Sequence, residues 1–150
     1  MAVSWKLVID STNASALADV RAAALGYEVE DPGALIKQLL DAGRIGAEAV
    51  VEHRGRETFR GYPAIRHPED PFEQTSGDGR GRRLLFQDVP EGKSGKNRLH
   101  IDFHSEGGGL DQPVARLEQL GATRVREVGK GPAGNWWIMQ DPEGNEFCAT

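Results

Sequence analysis

Two halves of this 150-residue chain repeat one another, and the repeat constrains the fold more than any other feature of the sequence. Each half opens with a short strand pattern, Leu7–Asp10 in the first and Leu99–Asp102 in the second. A helical pattern follows in each half and stops at a glycine, Gly26 or Gly121, before several short strands. Further along, Leu85-Phe86 aligns with Glu146-Phe147. Repetition of strand, helix and strands predicts two copies of one supersecondary unit.

The repeat predicts a single domain over residues 1–150. Its first β-α-β-β-β unit would cover 1–89, with an insertion at 31–81, and its second unit would cover 98–150. This order of elements predicts the α+β class, in which helices cover one face of a sheet and leave the other face open and concave.

The insertion carries local patterns of its own. Ala34–Ala42 has the apolar spacing of a short helix, and Arg54–Arg56 is the turn of a predicted hairpin. Pro63–Arg82 is rich in proline, glycine, aspartate and serine, which predicts a long loop. Such a loop either covers a cavity as a lid or lies on the surface. Within it, His67 either completes a site or is a surface residue.

Charge and composition exclude some partners. The chain has 18 lysines and arginines against 23 aspartates and glutamates, a formal net charge of −5, which argues against nucleic acid. Its one local basic cluster is predicted to be a solvated loop: Arg80, Arg82 and Arg83. No apolar run approaches the ~20 residues of a membrane span. The single cysteine, Cys148, excludes an intrachain disulfide. With the absence of a signal pattern, this predicts a cytoplasmic protein without membrane partners.

The stretch from Arg98 to His104 alternates apolar and ionisable residues, which is typical of a half-buried strand. Its ionisable side chains would project from one sheet face: His100, Asp102 and His104. The predicted last strand, Asn145–Ala149, adds the carboxylate of Glu146. Side by side, these strands would give a small polar floor in an otherwise apolar cup.

Other candidates surround this floor. Trp136 and Trp137 are adjacent, so on a strand they face opposite sides, and one of them could stack on a planar ligand. Alternation alone leaves open which one does. Cys148 shares the side of Glu146, and a neighbouring carboxylate favours an inert thiol over a nucleophile. Gly107–Gly109 precedes a helix and is at most a weak anion site, because the lysine of a phosphate loop is missing.

Three segments carry a family resemblance: Arg83–Glu91 (RLLFQDVPE), Lys96–Asp102 (KNRLHID) and Asp141–Cys148 (DPEGNEFC). With the repeat, they resemble the vicinal oxygen chelate superfamily of glyoxalase I, bleomycin-resistance proteins and extradiol dioxygenases. Within that group the chain looks most like small bacterial glyoxalase-like proteins. The resemblance implies the glyoxalase/bleomycin-resistance/dihydroxybiphenyl dioxygenase fold, with two β-α-β-β-β units forming a concave cup. It also implies a homodimer.

In catalytic members of that superfamily a divalent metal is bound by the first and last strands of both units. Carried over by position, the resemblance implies His100 and Glu146 as metal ligands in the second unit. The matching positions in the first unit are Val8 and Leu85, which cannot bind a metal, although Gln87 lies on the same predicted face as Leu85. One divalent ion (Zn, Ni, Mn or Fe) and no metal at all are therefore both open.

Two classes of function follow from the resemblance. In the first, the protein is a lyase, isomerase or dioxygenase in which His100 and Glu146 hold a metal or move a proton. In the second, it is a metal-free protein of the bleomycin-resistance kind that sequesters a small organic molecule. The remaining candidates would contact the ligand in either case: Asp102, His104, Trp136, Trp137 and Gln87.

Overall fold

The structure, a computed structural model, describes residues 3, 5–105, 109–129 and 131–150. The chain forms two compact units, Met1–Glu91 and Gly92–Thr150. The first unit contains six strands and two helices among its described residues: β1 (Leu7–Ser11), α1 (Ala14–Leu25), β2 (Glu28–Val29), α2 (Gly33–Asp41), β3 (Val50–His53), β4 (Arg56–Phe59), β5 (Ala64–Arg66) and β6 (Arg83–Asp88). The described part of the second unit contains α3 (Asp111–Gln119), β7 (Thr123–Gly129), β8 (Asn135–Gln140) and β9 (Glu146–Ala149).

Four strands of the first unit form one sheet in the order β1-β6-β5-β2. β1 pairs with β6 in parallel, while β5 pairs antiparallel with both β6 and β2. Helix α1 begins where the Asn13 side chain accepts the backbone N–H of Ala16 at 3.1 Å, and it ends at Gly26 in the left-handed region (φ 68°). Without α2 and the β3–β4 pair, this unit is a β-α-β-β-β repeat.

The insertion is partly as predicted. The hairpin β3–β4 turns at Arg54 and Gly55, both with positive φ (51° and 75°), as a tight two-residue hairpin turn requires. The prediction of a continuous loop over 63–82 was wrong at Ala64–Arg66, because these residues form the interior strand β5. Three residues after a proline are too few to show alternation.

The second unit is a three-stranded antiparallel sheet in the order β7-β8-β9, with α3 preceding it. A fourth segment joins this sheet where Phe103 forms a parallel bridge with Ala149. The backbone N–H of Phe103 donates to Cys148 at 2.8 Å, and that of Thr150 donates to Phe103 at 2.8 Å. The strand order therefore matches the first unit, with the first strand beside the last.

The predicted strand over 98–104 was wrong for its first five residues, which form no ladder. Leu99, expected to face a core, is 77% exposed. The cause is the carboxylate of Asp102, which accepts the Cys148 N–H at 2.7 Å. In a continued parallel ladder the carbonyl of residue 101 would accept that N–H.

The two units place their first and last strands in the same register. Ser11 pairs with Asp88 in the first unit, and Phe103 pairs with Ala149 in the second. These pairs are the positions that the sequence alignment of the two halves makes equivalent. The described helices include none that is long and apolar enough to span a bilayer.

Candidate functional site

The register of β8 against β9 sorts the candidate residues onto two sheet faces. Cross-strand partners share a face, and Cys148 pairs with Ile138. Trp136 therefore lies on the face that carries Glu146 and Cys148. Trp137 lies on the opposite face with the buried Met139. The sequence left this choice open, and the structure places Trp136 on the sheet face that carries the ionisable Glu146.

His100 and Asp102 come together as a pair. The ring Nδ1 of His100 lies 2.8 Å from Oδ1 of Asp102, and the same oxygen accepts the backbone N–H of Cys148 at 2.7 Å. A carboxylate only accepts, so Nδ1 carries the proton in this contact and Nε2 is the nitrogen that can accept one. Because Asp102 is held by the β9 backbone, the imidazole has a fixed orientation while it stays exposed.

His104 lies apart from this pair. Its Nδ1 is 2.5 Å from the hydroxyl of Thr150, which also donates to the Phe103 carbonyl at 3.3 Å. The sequence grouped three ionisable side chains on one face. The structure joins two of them by a hydrogen bond and ties the third to the C-terminal residue.

Glu146 is held by two residues that sequence analysis did not select. Its Oε2 accepts the backbone N–H of Asn97 at 3.0 Å, and the Lys93 ammonium lies 3.2 Å and 3.1 Å from its two oxygens. The Asn97 N–H first, and then Lys93, lower the pKa of Glu146 to about 2. Lys93 also donates to the Gly95 carbonyl at 2.7 Å. The signal available in the sequence was the pair of lysines, Lys93 and Lys96, in the segment before residue 98.

This donor set does not fit a divalent ion. A metal usually takes three or four protein ligands, and in the described ranges no three His, Cys, Asp or Glu side chains cluster. Both oxygens of Glu146 face an ammonium group, which occupies the cation's place. His100 directs one ring nitrogen to Asp102. The two residues that the family resemblance assigns to a metal are therefore engaged elsewhere, His100 with Asp102 and Glu146 with Lys93 and Asn97.

The equivalent positions of the first unit are apolar neighbours. Val8 and Leu85 pair directly across β1 and β6. Gln87 is half-buried on β6, pairs with Asp10, and shares the face of Leu85. It offers an amide on that face, and its cross-strand partner Asp10 offers the one carboxylate among these four positions.

Two weaker candidates, Cys148 and His67, have no catalytic setting, and a third lies largely outside the described residues. Burial first, and then Asp102, raise the pKa of the Cys148 thiol, so it stays protonated near neutral pH. His67 packs edge-on against Tyr27, with ring centroids 5.3 Å apart. Gly107 and Gly108, which belong to the weak anion motif, lie outside the described residues.

The chain is similar to known proteins in sequence pattern and in fold. The model of a glyoxalase-like domain family matches residues 6–150. A glyoxalase/bleomycin resistance protein/dioxygenase family enzyme from Burkholderia phytofirmans PsJN is 13% identical, with 96% of this chain and 94% of that chain covered and a TM-score of 0.58. A mutant of the fosfomycin resistance protein FosX from Listeria monocytogenes, complexed with Mn(II) and 1S,2S-dihydroxypropylphosphonic acid, is 9% identical, with 99% and 89% covered and a TM-score of 0.58.

Lactoylglutathione lyase from Agrobacterium tumefaciens is 13% identical, with 99% of this chain and 92% of that chain covered and a TM-score of 0.51. At such identities, similarity of structure shows the fold alone. A comparison with curated proteins finds no match.

Proposed function

The chain belongs to the glyoxalase-like domain family, and from this premise we propose that it binds a small organic molecule through the second unit without a resident metal. The observation that carries the proposal is the His100–Asp102 pair. It presents an exposed imidazole whose tautomer and direction are fixed from behind by a carboxylate that the β9 backbone holds.

Proton transfer is the chemistry that this pair supplies. Nε2 of His100 can accept a proton from a ligand hydroxyl or from a carbon next to a carbonyl group, and Asp102 stabilises the imidazolium that results. Oδ1 of Asp102 receives two hydrogen bonds, which hold the carboxylate in place behind the imidazole. Trp136 adds a half-buried aromatic surface on the face of Glu146, suited to the planar part of a ligand.

Glu146 has a structural role in this proposal. Its contacts with Lys93 and Asn97 anchor the segment before His100 to β9. The Asn97 contact joins residues that are 49 apart in sequence. Because both carboxylate oxygens are engaged, Glu146 fixes where that segment lies and leaves proton transfer to His100.

Metal-dependent lyase, isomerase or dioxygenase chemistry is the second candidate, and one observation favours it. The Listeria FosX structure is a complex with Mn(II), and the Agrobacterium protein is a lyase. Both names support a small-molecule ligand for this fold. No step is assigned to a metal in this chain, because the Lys93–Glu146 contact opposes one.

The proposal is tested by a ligand screen on protein that was purified without affinity metal. Small oxygen-bearing organic molecules are screened by thermal shift and by tryptophan fluorescence. We expect the screen to find at least one binder that His100→Gln weakens at least about tenfold and Asp102→Asn weakens less. His104→Gln is the matched control and should leave binding of that molecule unchanged. Equal affinity of wild type and His100→Gln for every binder would refute the assignment.

Two further expectations come from the sequence, the homodimer from the family resemblance and the cytoplasmic location from the single cysteine. We propose that the protein forms a homodimer, which light scattering on the purified chain tests by its mass. We also propose a cytoplasmic location, which fractionation of the source cells tests.

A further inference from the structure

The first unit contains a cleft that the second unit's candidate residues do not enter. It has a volume of about 840 Å³, within the usual range for small-molecule sites. Helix α1, strand β2, the β3–β4 hairpin and the segment 72–77 line it, and the last two of these belong to the insertion at 31–81. We name it the insertion cleft. Its apolar lining consists of four small or medium-sized side chains and one aromatic ring: Ala22, Val29, Ala34, Pro63 and Phe72.

The hairpin wall is tied to α1 through one carboxylate. Oδ2 of Asp19 lies 2.8 Å from Nε2 of His53 and 2.8 Å from Nε of Arg54. Arg56 is the direct cross-strand partner of His53, so both side chains project from the same hairpin face. These contacts hold the hairpin over α1 and leave the Arg56 guanidinium without an ion pair in the described contacts.

Strand β5 contributes a largely buried guanidinium, that of Arg66, to the lining. The side chain of Arg66 is 11% exposed, and its Cζ lies 3.8 Å from the ring centroid of Phe72. Its Nη2 contacts Oε2 of Glu28 at 2.6 Å across the β2–β5 ladder. Its Nη1 is buried and has no hydrogen-bond partner among the described residues, which is costly for a charged donor. Arg66 therefore has a stacked platform, one carboxylate partner and a spare donor.

The lining has five acidic residues: Asp19, Glu28, Glu30, Asp31 and Glu57. Three of them, Asp19, Glu28 and Glu30, differ in how firmly they are engaged. Both oxygens of Glu30 accept from Arg83 at 2.7 Å, and Gly79 N–H adds a third hydrogen bond at 2.8 Å. Asp19 is occupied by the hairpin. Glu28 differs from both, because its side chain is 53% exposed and it contacts only Arg66 in the described contacts. A carboxylate arriving from solvent can take its place.

We infer that the insertion cleft binds a small organic carboxylate, whose oxygens replace Glu28 at the Arg66 guanidinium while its apolar body lies against Phe72 and Val29. Planar guanidinium groups bind carboxylates through paired hydrogen bonds, which a stacked, preoriented Arg66 provides. Arg56 adds a second positive charge on the hairpin side. This site is separate from the His100–Asp102 pair, and its ligand need not be the ligand of the second unit.

Two matched probe pairs test the inference on the full chain: benzoate with benzamide, and 3-phenylpropionate with 3-phenylpropionamide. Binding is followed by amide chemical shifts in nitrogen-15 NMR spectra. We expect both carboxylates to shift the signals of Val29, Arg66 and Phe72 in a saturable way. The uncharged amides should bind at least about tenfold more weakly, because they lack the charge that Arg66 recognises.

Two variants give opposite signs. Glu28→Gln removes the competing carboxylate and should tighten binding of both acids several-fold, while Arg66→Met should weaken it at least about tenfold. Arg66→Lys keeps the charge without the fork and covers the case in which Arg66→Met does not fold. His100→Gln should leave binding unchanged. Equal binding of acids and amides, weaker binding by Glu28→Gln, or no binding of either acid overturns the inference.

Discussion

The two units share a strand order but join their first and last strands by different means. In the first unit, β1 pairs with β6 along five consecutive residues, from Leu7–Leu84 to Ser11–Asp88. In the second, the bridge is confined to Phe103 and Ala149. Beyond that bridge, side-chain oxygens accept the backbone N–H groups of Cys148 and Asn97.

The difference teaches how one topology can serve two purposes. Where the first unit places Val8 beside Leu85, the second places His100 and Glu146 at the aligned positions. Giving up backbone pairing there costs ladder hydrogen bonds, and the carboxylates of Asp102 and Glu146 replace them. The result is an imidazole that is oriented by a neighbour and still open to solvent. Predictions that compare equivalent positions of the two units test this account.

The largest effects are expected in the two cores. Phe86 and Phe147 are equivalent, and both are buried on the last strand of their unit. Replacing either with alanine should lower the free energy of unfolding by about 3–5 kcal/mol, through lost apolar burial and a residual cavity. Chemical denaturation measures this. A much smaller loss for Phe147→Ala would show that the second unit, including its Phe103–Phe147 ring contact, is loosely packed.

Asp102→Ala should destabilise the protein by about 1–3 kcal/mol, since it leaves the Cys148 N–H without its acceptor. The matched control is Asp10→Ala at the aligned position of the first unit, where β1 already has its backbone partner. That change should stay within about 0.5 kcal/mol. Equal losses for the two variants would contradict the exchange of backbone for side-chain hydrogen bonds.

Glu146 makes a pH-dependent contribution with a definite sign. Its folded pKa is about 2, below the ordinary 4.5, so its stabilisation is present above pH 4.5 and is lost as the pH falls toward 2. An NMR titration of its carboxyl carbon should give a midpoint near 2. In Lys93→Met the midpoint should rise but stay below 4.5, because the Asn97 N–H remains. A wild-type midpoint at 4.5 would show that Lys93 and Asn97 do not lower the pKa of Glu146.

The smallest effect is expected at Leu99. Because its side chain is 77% exposed, Leu99→Ala should change the free energy of unfolding by no more than about 0.5 kcal/mol. The aligned Leu7, half-buried in β1, should lose more on the same change. Thermal and chemical denaturation of both variants decide. If Leu99→Ala lowered the free energy of unfolding as much as Leu7→Ala, the exposed position of Leu99 would be contradicted and the strand that the alternating sequence predicted would be supported.

Much of the fold could be predicted from sequence. The α+β class and the glyoxalase/bleomycin-resistance/dioxygenase fold are confirmed by the family match and the structural neighbours. Helix α1 ends at the predicted Gly26, the Arg54-Gly55 turn lies within the predicted turn, and β9 begins one residue after its predicted start. The missed elements have physical causes. β5 is too short for a period to show, and alternation over 98–104 cannot distinguish a backbone partner from the Asp102 carboxylate.

The candidate site was predicted less completely. Local alternation brought His100 and Asp102 together, because residues two apart on an extended chain share a side. It also grouped His104, which the structure ties to Thr150. The Lys93–Glu146 contact joins residues 53 apart in sequence, so no local pattern could reveal it. That contact matters most for the proposed function, since it places the Lys93 ammonium against Glu146.

Metal content tests the central claim most directly. Protein purified without chelator and without affinity metal is analysed for Zn, Ni, Mn and Fe, and again after incubation with each ion and dialysis. His100→Ala and Glu146→Ala are analysed in parallel. The account predicts that wild type and both variants retain far less than one ion per chain, because Lys93 occupies the face of Glu146 that a metal needs. Near-stoichiometric metal in wild type that disappears in both variants would contradict it.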